Sequence, residues 1–599
     1  MRRLLAIVLI TFAVSTAVAK PRESERFNAW LDAVWEDTLV RQPILATLIG
    51  DPRYNDRIVD VTTAAWRADN RRVIERQLRE LKGFNRTALS GQDRLSYDIL
   101  KLELEELLEG LRFPDWMQPV DQLGGLPSFL AQMGSGGSIQ PFRTTKDYDD
   151  WHKRLRDSVP ILNGMIGNMR VGLANGVTQP TAVMEKVLPQ LAALAVTDPE
   201  QSVFWGPINN FPDAVPIAER QRITAALRTL ISDQVGPAYQ RMHDFLRDQY
   251  IPKARKTTAW SALPNGKAWY AYRVKRSTTT AMSPDAIHAL GQHEVRRILN
   301  EMDQVRREVK FEGELQAFFA HLKNDPRYYH SRPEDLVSGY RELQKKINAL
   351  LPRLFDISPK ADYEVREVEA FRAASAAGAS YVDPSADGSR PGIFYINTFN
   401  LKAQPIFGME TLSLHEASPG HHFQNSIAQE VESLPKFRRF GTFYVAYSEG
   451  WALYAESIGK ELGLFTDPYQ WYGRLSDEQL RAMRLVVDTG LHNKGWTRQQ
   501  AIDYMLANSS MAESDVVAEV ERYIVSPGQA LGYKIGQLEI SKLRREAERA
   551  LGSRFDVKKF HRVLLIDGPL PMSVLATQVR DWIARENLIL AQRPRNGTR

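Results

Sequence analysis

The sequence predicts a mainly α-helical protein: a large multi-helix fold with a small β-sheet beside a cleft. Apolar residues recur at steps of three and four over most of the chain, which is typical of helices. Only three short stretches alternate in the manner of strands. The composition is ordinary for a globular protein, with 43% hydrophobic and 25% charged residues. A chain of 599 residues can bury a large core without disulfides, and this one has no cysteine.

Helical periodicity runs through nine segments. In each of them the apolar residues fall on one face of an α-helix. Ser283-Pro284 and Thr497 add the N-cap signals with which helices begin. The predicted helices cover residues 23–48, 63–81, 93–111, 145–174, 218–250, 284–309, 332–350, 441–462 and 470–491.

Three short segments predict the strands of the sheet. Residues 268–274 (AWYAYRV) alternate aromatic with other residues directly after the turn signal Pro264-Asn265-Gly266. Residues 363–371 (YEVREVEAF) alternate apolar with charged residues, and residues 393–397 (IFYIN) follow a loop rich in glycine, serine and proline. The last segment could be a sheet edge that pairs with an extended peptide, or a plain structural strand.

The predicted strands all follow Ile251-Pro252, whereas helices dominate before it. We therefore predict a helical N-terminal region, residues 20–255, and a second region, residues 256–599, that holds the sheet and the functional site.

The first nineteen residues predict a cleavable secretory signal. Arg2 and Arg3 precede a short apolar stretch, and Ala17-Val18-Ala19 fits the small-residue cleavage pattern, with the cut after Ala19. The alternative is an uncleaved anchor. The absence of cysteine removes any lipoprotein attachment point and suits an oxidising compartment. A periplasmic or secreted protein is expected.

Charge and hydropathy exclude two classes of partner. The formal net charge is only +6, and no run of five like charges occurs, so no nucleic-acid-binding arm is predicted. No segment after residue 19 is long and apolar enough to cross a bilayer, so no stable membrane insertion is expected after signal cleavage. Nothing in the sequence indicates an oligomeric state.

A cluster of histidines indicates metal chemistry. Three of the eleven histidines fall between His415 and His422, in the segment LHEASPGHHFQ. Zinc proteases use H-E-x-x-H on one helix, where histidines four residues apart meet one ion. Here the fourth residue after His415 is Pro419, whose ring collides with the His415 carbonyl in a continuous helix. The helix must therefore bend, bulge or restart.

The spacing leaves the second histidine open. In an ideal helix His422 returns to the face of His415, whereas a two-residue bulge at Pro419-Gly420 brings His421 there instead. Glu449, near the start of a later helix, is the candidate third ligand, with Glu456 on the same face. The competing interpretations are that Glu449 only stabilises the helix N-terminus and that the histidines are structural.

These segments resemble a known family. HEASPGHHFQ is similar to the HE-x-x-PGH signature of the DUF885 family of bacterial proteins, and further segments match it in the family's order over nearly the whole mature chain. They are YSEGWALYAESIGKELG, RLVVDTGLHNKGWT, SPGQALGYKIGQLEI, RPGIFYINTFN and PILATLIGDPRYNDRIVD. The resemblance implies a zinc-peptidase-like helical fold. Because many members carry a single histidine after the Pro-Gly pair, it also implies that His421 is the ligand.

Three further residues are candidates for catalysis. The resemblance implies that Glu416 is the general base, which takes a proton from the zinc-bound water and passes it to the leaving amine. The oxyanion of the reaction needs a donor, for which Tyr533 and His492 are candidates, and Asp488 could orient His492 from one turn earlier. The alternatives are that Tyr533 is a packed core tyrosine and that Asp488 and His492 belong to an ion-pair stripe.

The expected function is that of an exported zinc metallopeptidase, with Zn²⁺ as cofactor and a peptide as substrate. Two alternatives stay open. One is a non-catalytic helical protein that binds a metal or a peptide, and the other is a zinc hydrolase of another amide or an ester.

Overall fold

The computed structural model describes residues 22–368, 373, 377–385, 388 and 390–591. The chain is mainly helical with a small three-stranded sheet, which confirms the predicted fold class. The predicted signal, residues 1–19, lies outside the described residues. Within the described part of the chain, no helix has both the length and the apolar character that a membrane crossing requires.

The α-helices of the described residues are numbered α1 to α24 in chain order. They are α1 Glu23–Arg41, α2 Pro43–Leu48, α3 Ala64–Lys82, α4 Gly91–Gly110, α5 Leu126–Gly134, α6 Thr145–Asn175, α7 Thr181–Leu194, α8 Gly206–Asn209, α9 Ile217–Leu230, α10 Gly236–Phe245, α11 Gly266–Thr278, α12 Pro284–Glu308, α13 Leu315–Asn324, α14 Pro333–Leu350, α15 Met409–Glu416, α16 His421–Glu430, α17 Val445–Ser457, α18 Gly459–Leu462, α19 Pro468–His492, α20 Arg498–Ala507, α21 Glu513–Val525, α22 Leu531–Leu551, α23 Val557–Leu565 and α24 Met572–Ala591.

Proline divides one predicted helix, and π-turns occur within another. The predicted helix over residues 23–48 is divided at Gln42. The ring of Pro43 clashes with the residue before it, so that Gln42 disfavours the helical conformation. Residues 217–250 stay helical throughout, as predicted, but include π-turns at Ile231–Val235 and Leu246–Tyr250. The segment predicted as a helix over residues 441–462 begins at Val445.

The strand predicted over residues 268–274 is wrong, because this segment lies within α11. Trp269 and Tyr272 both pack on Phe113, with ring centroids 5.8 and 5.3 Å away. The Tyr272 hydroxyl also donates to the Glu106 carbonyl of α4. The aromatic preference for strands is therefore overridden by packing on a broad buried face of a helix.

Glu106, on the contact between α4 and α11, supplies a pH-dependent prediction. Its side chain is 4% exposed, and burial raises the pKa of Glu106 to about 6 from its ordinary value of 4.5, although Arg276 opposes the shift. Glu106→Gln is expected to raise the free energy of unfolding by about 1 kcal/mol at pH 8, because a desolvated carboxylate is removed.

The size of this effect depends on pH. A raised pKa means that the folded protein holds the proton more tightly than the unfolded chain does. The gain from Glu106→Gln should therefore be absent at pH 4 and develop as the pH rises through about 6. Urea unfolding at pH 4 and pH 8 measures it. Glu109→Gln, one turn further along α4 and more exposed, is the control, and a gain that does not vary with pH would contradict the prediction.

The sheet consists of β1 Tyr363–Glu367, β2 Ala379–Val382 and β3 Gly392–Ile396, in the order β1-β3-β2. β3 pairs with β1 in parallel and with β2 antiparallel. β3 is therefore the central strand, and its prediction as a sheet edge open to a peptide is wrong. β2 was not predicted, because its four residues alternate too briefly to give a signal.

The hydrophobic core crosses the predicted boundary at residue 255. Its largest cluster joins residues between Val120 and Ala254 to residues between Val295 and Ala530. The division into residues 20–255 and 256–599 stays a prediction.

Two glycines fix the distance between α17 and α22. A Cβ atom on Gly450 would lie 2.5 Å from the Gly536 backbone, and one on Gly536 would overlap the Ala446 carbonyl oxygen. The helices therefore touch backbone to backbone, as only glycine permits. This contact holds the helix of Glu449 against the helix of Tyr533.

Candidate metal centre

The helix that carries His415 ends and restarts, as the proline predicts. α15 stops at Glu416, and α16 begins at His421, with a cis peptide bond between Ser418 and Pro419 in the intervening turn. A Cβ atom on Gly420 would overlap the carbonyl oxygen of His415, so glycine is required there. The two histidines therefore flank a compact turn rather than one continuous helix.

A tryptophan from α17 holds this turn. The Trp451 indole nitrogen, Nε1, donates to the Pro419 carbonyl at 2.7 Å, and both residues are buried. Because Trp451 lies two residues after Glu449, this bond joins the helix of Glu449 to the turn between the histidines.

His415, His421 and Glu449 converge, and we refer to them as the His–His–Glu cluster. Glu449 Oε2 lies 3.4 Å from His415 Nε2 and 3.5 Å from His421 Nε2. The two imidazole rings are perpendicular, with centroids 4.9 Å apart. One potential ligand atom from each residue lies within 4.8 Å of the other two. The structure thus brings together the three residues predicted as metal ligands.

His422 lies outside this cluster. Its Nδ1 is 2.8 Å from the Tyr381 hydroxyl, and its ring packs on Tyr363 with centroids 4.6 Å apart. Burial lowers the pKa of His422 to about 4. The spacing left open which of the two histidines lies beside His415. The structure places His421 there, and not His422.

Glu456 orients the His415 ring. Its carboxylate Oε1 lies 2.7 Å from His415 Nδ1, and the Glu456 side chain is 1% exposed. A histidine that donates Nδ1–H to a carboxylate presents Nε2 as its free ligand atom. Although burial favours the neutral ring, the carboxylates of Glu449 and Glu456 raise the pKa of His415 to about 10. The surroundings of this ring therefore favour a positive charge.

The residues present fit a zinc ion. Two imidazole nitrogens and one carboxylate are the protein ligands of one class of catalytic zinc site. Glu449 Oε2 is buried and has no hydrogen-bond partner among the described residues, so a carboxylate oxygen is available where the nitrogens meet. Electrostatic attraction to the two histidines overcomes burial and holds the pKa of Glu449 well below its ordinary value. Its side chain is thus ionised, as a ligand must be.

The chain matches one family model over most of its length. The family model for DUF885, described as bacterial protein of unknown function, matches residues 43–579. The chain belongs to the DUF885 family. No curated protein matched this DUF885 chain.

Two solved structures resemble this DUF885 chain over almost their whole length. One, from Colwellia psychrerythraea and described as a "putative lipoprotein", is 29% identical with a TM-score of 0.87, and the match covers 94% of this chain and 99% of that one. The other, from Shewanella oneidensis and described as a "putative lipoprotein of unknown function", is 19% identical with a TM-score of 0.73, and the match covers 92% and 99%. The second likeness shows the fold alone.

In this DUF885 protein two predicted catalytic residues lie on helices of the site: Glu416 on the helix of His415, and Tyr533 on α22, which contacts the helix of Glu449. Glu416 is half-buried at the end of α15, directly after His415. Tyr533 is half-buried on α22, where burial and then the Glu449 carboxylate raise the pKa of Tyr533. Gly536, one turn later on α22, admits the backbone of the neighbouring helix α17.

His492 is not brought to the cluster. Its Nδ1 accepts a bond from the Trp260 backbone N–H at 3.2 Å, and its Nε2 lies 2.9 Å from the Tyr523 carbonyl. The side chain is fully buried, so neither ring nitrogen is free for a substrate. Asp488 does not orient it, because that carboxylate accepts from the Tyr270 hydroxyl and the Gly528 N–H. His492 is therefore a hydrogen-bonded residue of the buried core.

Sequence reasoning missed two residues of the site. Glu456 was placed on the face of Glu449 by its spacing, yet that spacing gave no sign that it would contact His415. Arg484, one turn before Asp488, lies beneath the Tyr533 ring, with Cζ 4.3 Å from the ring centre. Both contacts join helices distant in sequence, so no local pattern could reveal them.

Proposed function

We propose that this protein is an exported zinc-dependent metallopeptidase that hydrolyses peptide bonds. The observation that carries the proposal is the convergence of His415 Nε2, His421 Nε2 and the otherwise unpaired Glu449 Oε2. Such a set would hold a zinc ion through three protein ligands and leave a position open for water or substrate, which is typical of catalytic rather than structural zinc.

The residues around the cluster suit hydrolysis. When bound, zinc supplies a Lewis acid that polarises the substrate carbonyl and acidifies water. Glu416 takes a proton from the attacking water as the water oxygen bonds to the carbonyl carbon. Tyr533 donates a hydrogen bond to the oxyanion that develops. Glu416 then delivers its proton to the amide nitrogen, and the bond between carbon and nitrogen breaks.

Two other functions use the same residues. A protein that only binds metal or peptide has no need of a general base, so the glutamate directly after His415 favours an enzyme. A hydrolase of another amide or of an ester would use the same groups, and competition between peptides and small esters separates it from a peptidase.

Export is proposed on separate grounds. Residues 1–19 have the charge pattern, apolar stretch and cleavage site of a secretory signal. The similar structure from Colwellia psychrerythraea is described as a putative lipoprotein, a class attached at a membrane surface. This chain contains no cysteine, so we propose a free periplasmic or secreted protein.

Substitution of the two adjacent histidines tests the proposed site. His421→Ala is expected to lose bound zinc and peptide hydrolysis, whereas His422→Ala is expected to keep zinc and lose only stability. The measurements are zinc by elemental analysis, cleavage of a broad peptide library before and after chelation, and thermal unfolding. Zinc retained in His421→Ala, or a zinc-loaded wild type that cleaves no peptide, would exclude the proposal.

Glu456→Gln is expected to weaken zinc binding by about 10- to 100-fold, because a neutral amide no longer fixes and polarises the His415 ring. Competition with a chromophoric chelator measures the affinity. Glu461→Gln, nearby on α18 and paired with Arg544 at the surface, is the control and should bind zinc as the wild type does. Equal affinity in both variants would show that Glu456 does not support the ligand.

A further inference from the structure

Arg484 is a buried arginine on α19 that faces the Tyr533 ring. Its side chain is 7% exposed, and its Cζ lies 4.3 Å from the ring centre. Its Nε and Nη2 donate to Glu519 Oε2 at 3.2 and 3.0 Å. Its Nη1 is buried and has no hydrogen-bond partner among the described residues.

The Tyr533 ring explains the unpaired nitrogen. An arginine over an aromatic face is attracted by the ring's negative face, most strongly where water is excluded. Glu519, which accepts from Nε and Nη2, is itself held by Arg522 at 3.1 Å and by the Tyr523 hydroxyl. The guanidinium is therefore held both by Glu519 and by its contact with the Tyr533 ring.

Arg484, Arg522 and Glu519 together carry a net positive charge. Arg484 and Arg522 share the single carboxylate of Glu519, so the three side chains carry one surplus positive charge. Tyr533 feels both this charge and Glu449: burial and Glu449 raise the pKa of Tyr533, whereas Arg484 and Arg522 lower it. A phenol beside a fixed cation is a stronger hydrogen-bond donor than an isolated one.

We infer that Arg484 is a positioning residue for Tyr533, which holds the phenol ring beside the His–His–Glu cluster and strengthens its hydroxyl as a donor. The inference rests on the proposed function, because only a reaction that develops an oxyanion there uses this donor. It assigns a role to a side chain whose other contacts would suggest a plain ion pair.

A double-mutant cycle tests the inference. Arg484→Gln should lower kcat by about 10- to 100-fold with KM and zinc content nearly unchanged, because a donor displaced by about 1 Å loses most of its effect. In the Tyr533→Phe background, which has no hydroxyl to position, the same change should lower kcat less than twofold. A crystal structure of metal-free Arg484→Gln should show the Tyr533 ring displaced.

Arg474→Gln is the matched control. Arg474 is also buried on α19, also lies over an aromatic ring, that of Trp471 at 5.0 Å, and also pairs with a glutamate, Glu478. This variant should lose stability without a change in kcat or in the position of Tyr533. If Arg484→Gln does not fold, Arg484→Lys replaces it, because lysine keeps the positive charge but lacks the planar guanidinium. Arg484→Lys should lower kcat by less than the loss expected of Arg484→Gln.

The outcomes separate the inference from the proposed function. If Glu416→Gln is inactive, yet Arg484→Gln keeps the wild-type kcat or its effect multiplies fully with that of Tyr533→Phe, the inference is wrong and the proposed function stands. If the wild type does not hydrolyse peptides, the proposed function fails. The ring position in metal-free Arg484→Gln then still decides whether Arg484 holds Tyr533.

Discussion

Glu416→Gln is expected to lower kcat for peptide hydrolysis by about 10³- to 10⁴-fold while zinc stays bound. A positioned general base contributes about 10²- to 10⁴-fold, and in the proposed mechanism the same carboxyl group serves as base and then as acid. Glutamine keeps the size of the side chain and removes only its ability to exchange a proton. The measurements are kcat on a peptide cleaved by the wild type and zinc content by elemental analysis.

Glu432→Gln is the control for this substitution. Glu432 is an exposed carboxylate shortly after α16, so its loss should change neither activity nor zinc content. A Glu416→Gln variant that kept wild-type activity with zinc bound would remove the general-base role, and a variant that lost zinc would show that Glu416 supports the metal site instead.

Gly420→Ala is expected to lower the free energy of unfolding by about 3 kcal/mol and to abolish high-affinity zinc binding. The added Cβ atom would overlap the His415 carbonyl oxygen, which is backbone and cannot rotate away. Relief of this overlap must separate α15 from α16 and hence His415 from His421. Urea unfolding and zinc titration measure the two effects.

Gly167→Ala is the control for Gly420→Ala. Gly167 lies on the exposed side of α6 with no atom within 4 Å of an added Cβ atom. Alanine there should stabilise the protein by about 0.5 to 1 kcal/mol through its higher helix propensity. A Gly420→Ala variant as stable as Gly167→Ala, with zinc affinity intact, would mean that the turn can widen without moving the histidines.

The sequence carried enough information to predict the ligand candidates and the break between them. Proline after His415 has a steric consequence that holds in any fold, and the structure shows the predicted interruption at Pro419. The choice between His421 and His422 depended on the shape of the turn. That shape is set by the contact of Gly420 with the preceding helix and by the bond from Trp451, neither of which is local.

Other features of the structure are set by tertiary packing and could not be predicted from local sequence patterns. Residues 268–274 have aromatic spacing that suits both a strand and a broad helix face, and only the contact with Phe113 decides between them. His492 shares a helix face with Asp488 as predicted, but the partners that satisfy the two side chains come from Trp260, from α11 and from residues 523–528. Spacing along one helix predicts neighbours on that helix and not what lies opposite.

The glycine pair between α17 and α22 limits how the site can diverge. With no side chain between these helices, a larger residue at either position would push Glu449 and Tyr533 apart together. Homologous chains should therefore keep small residues at both positions.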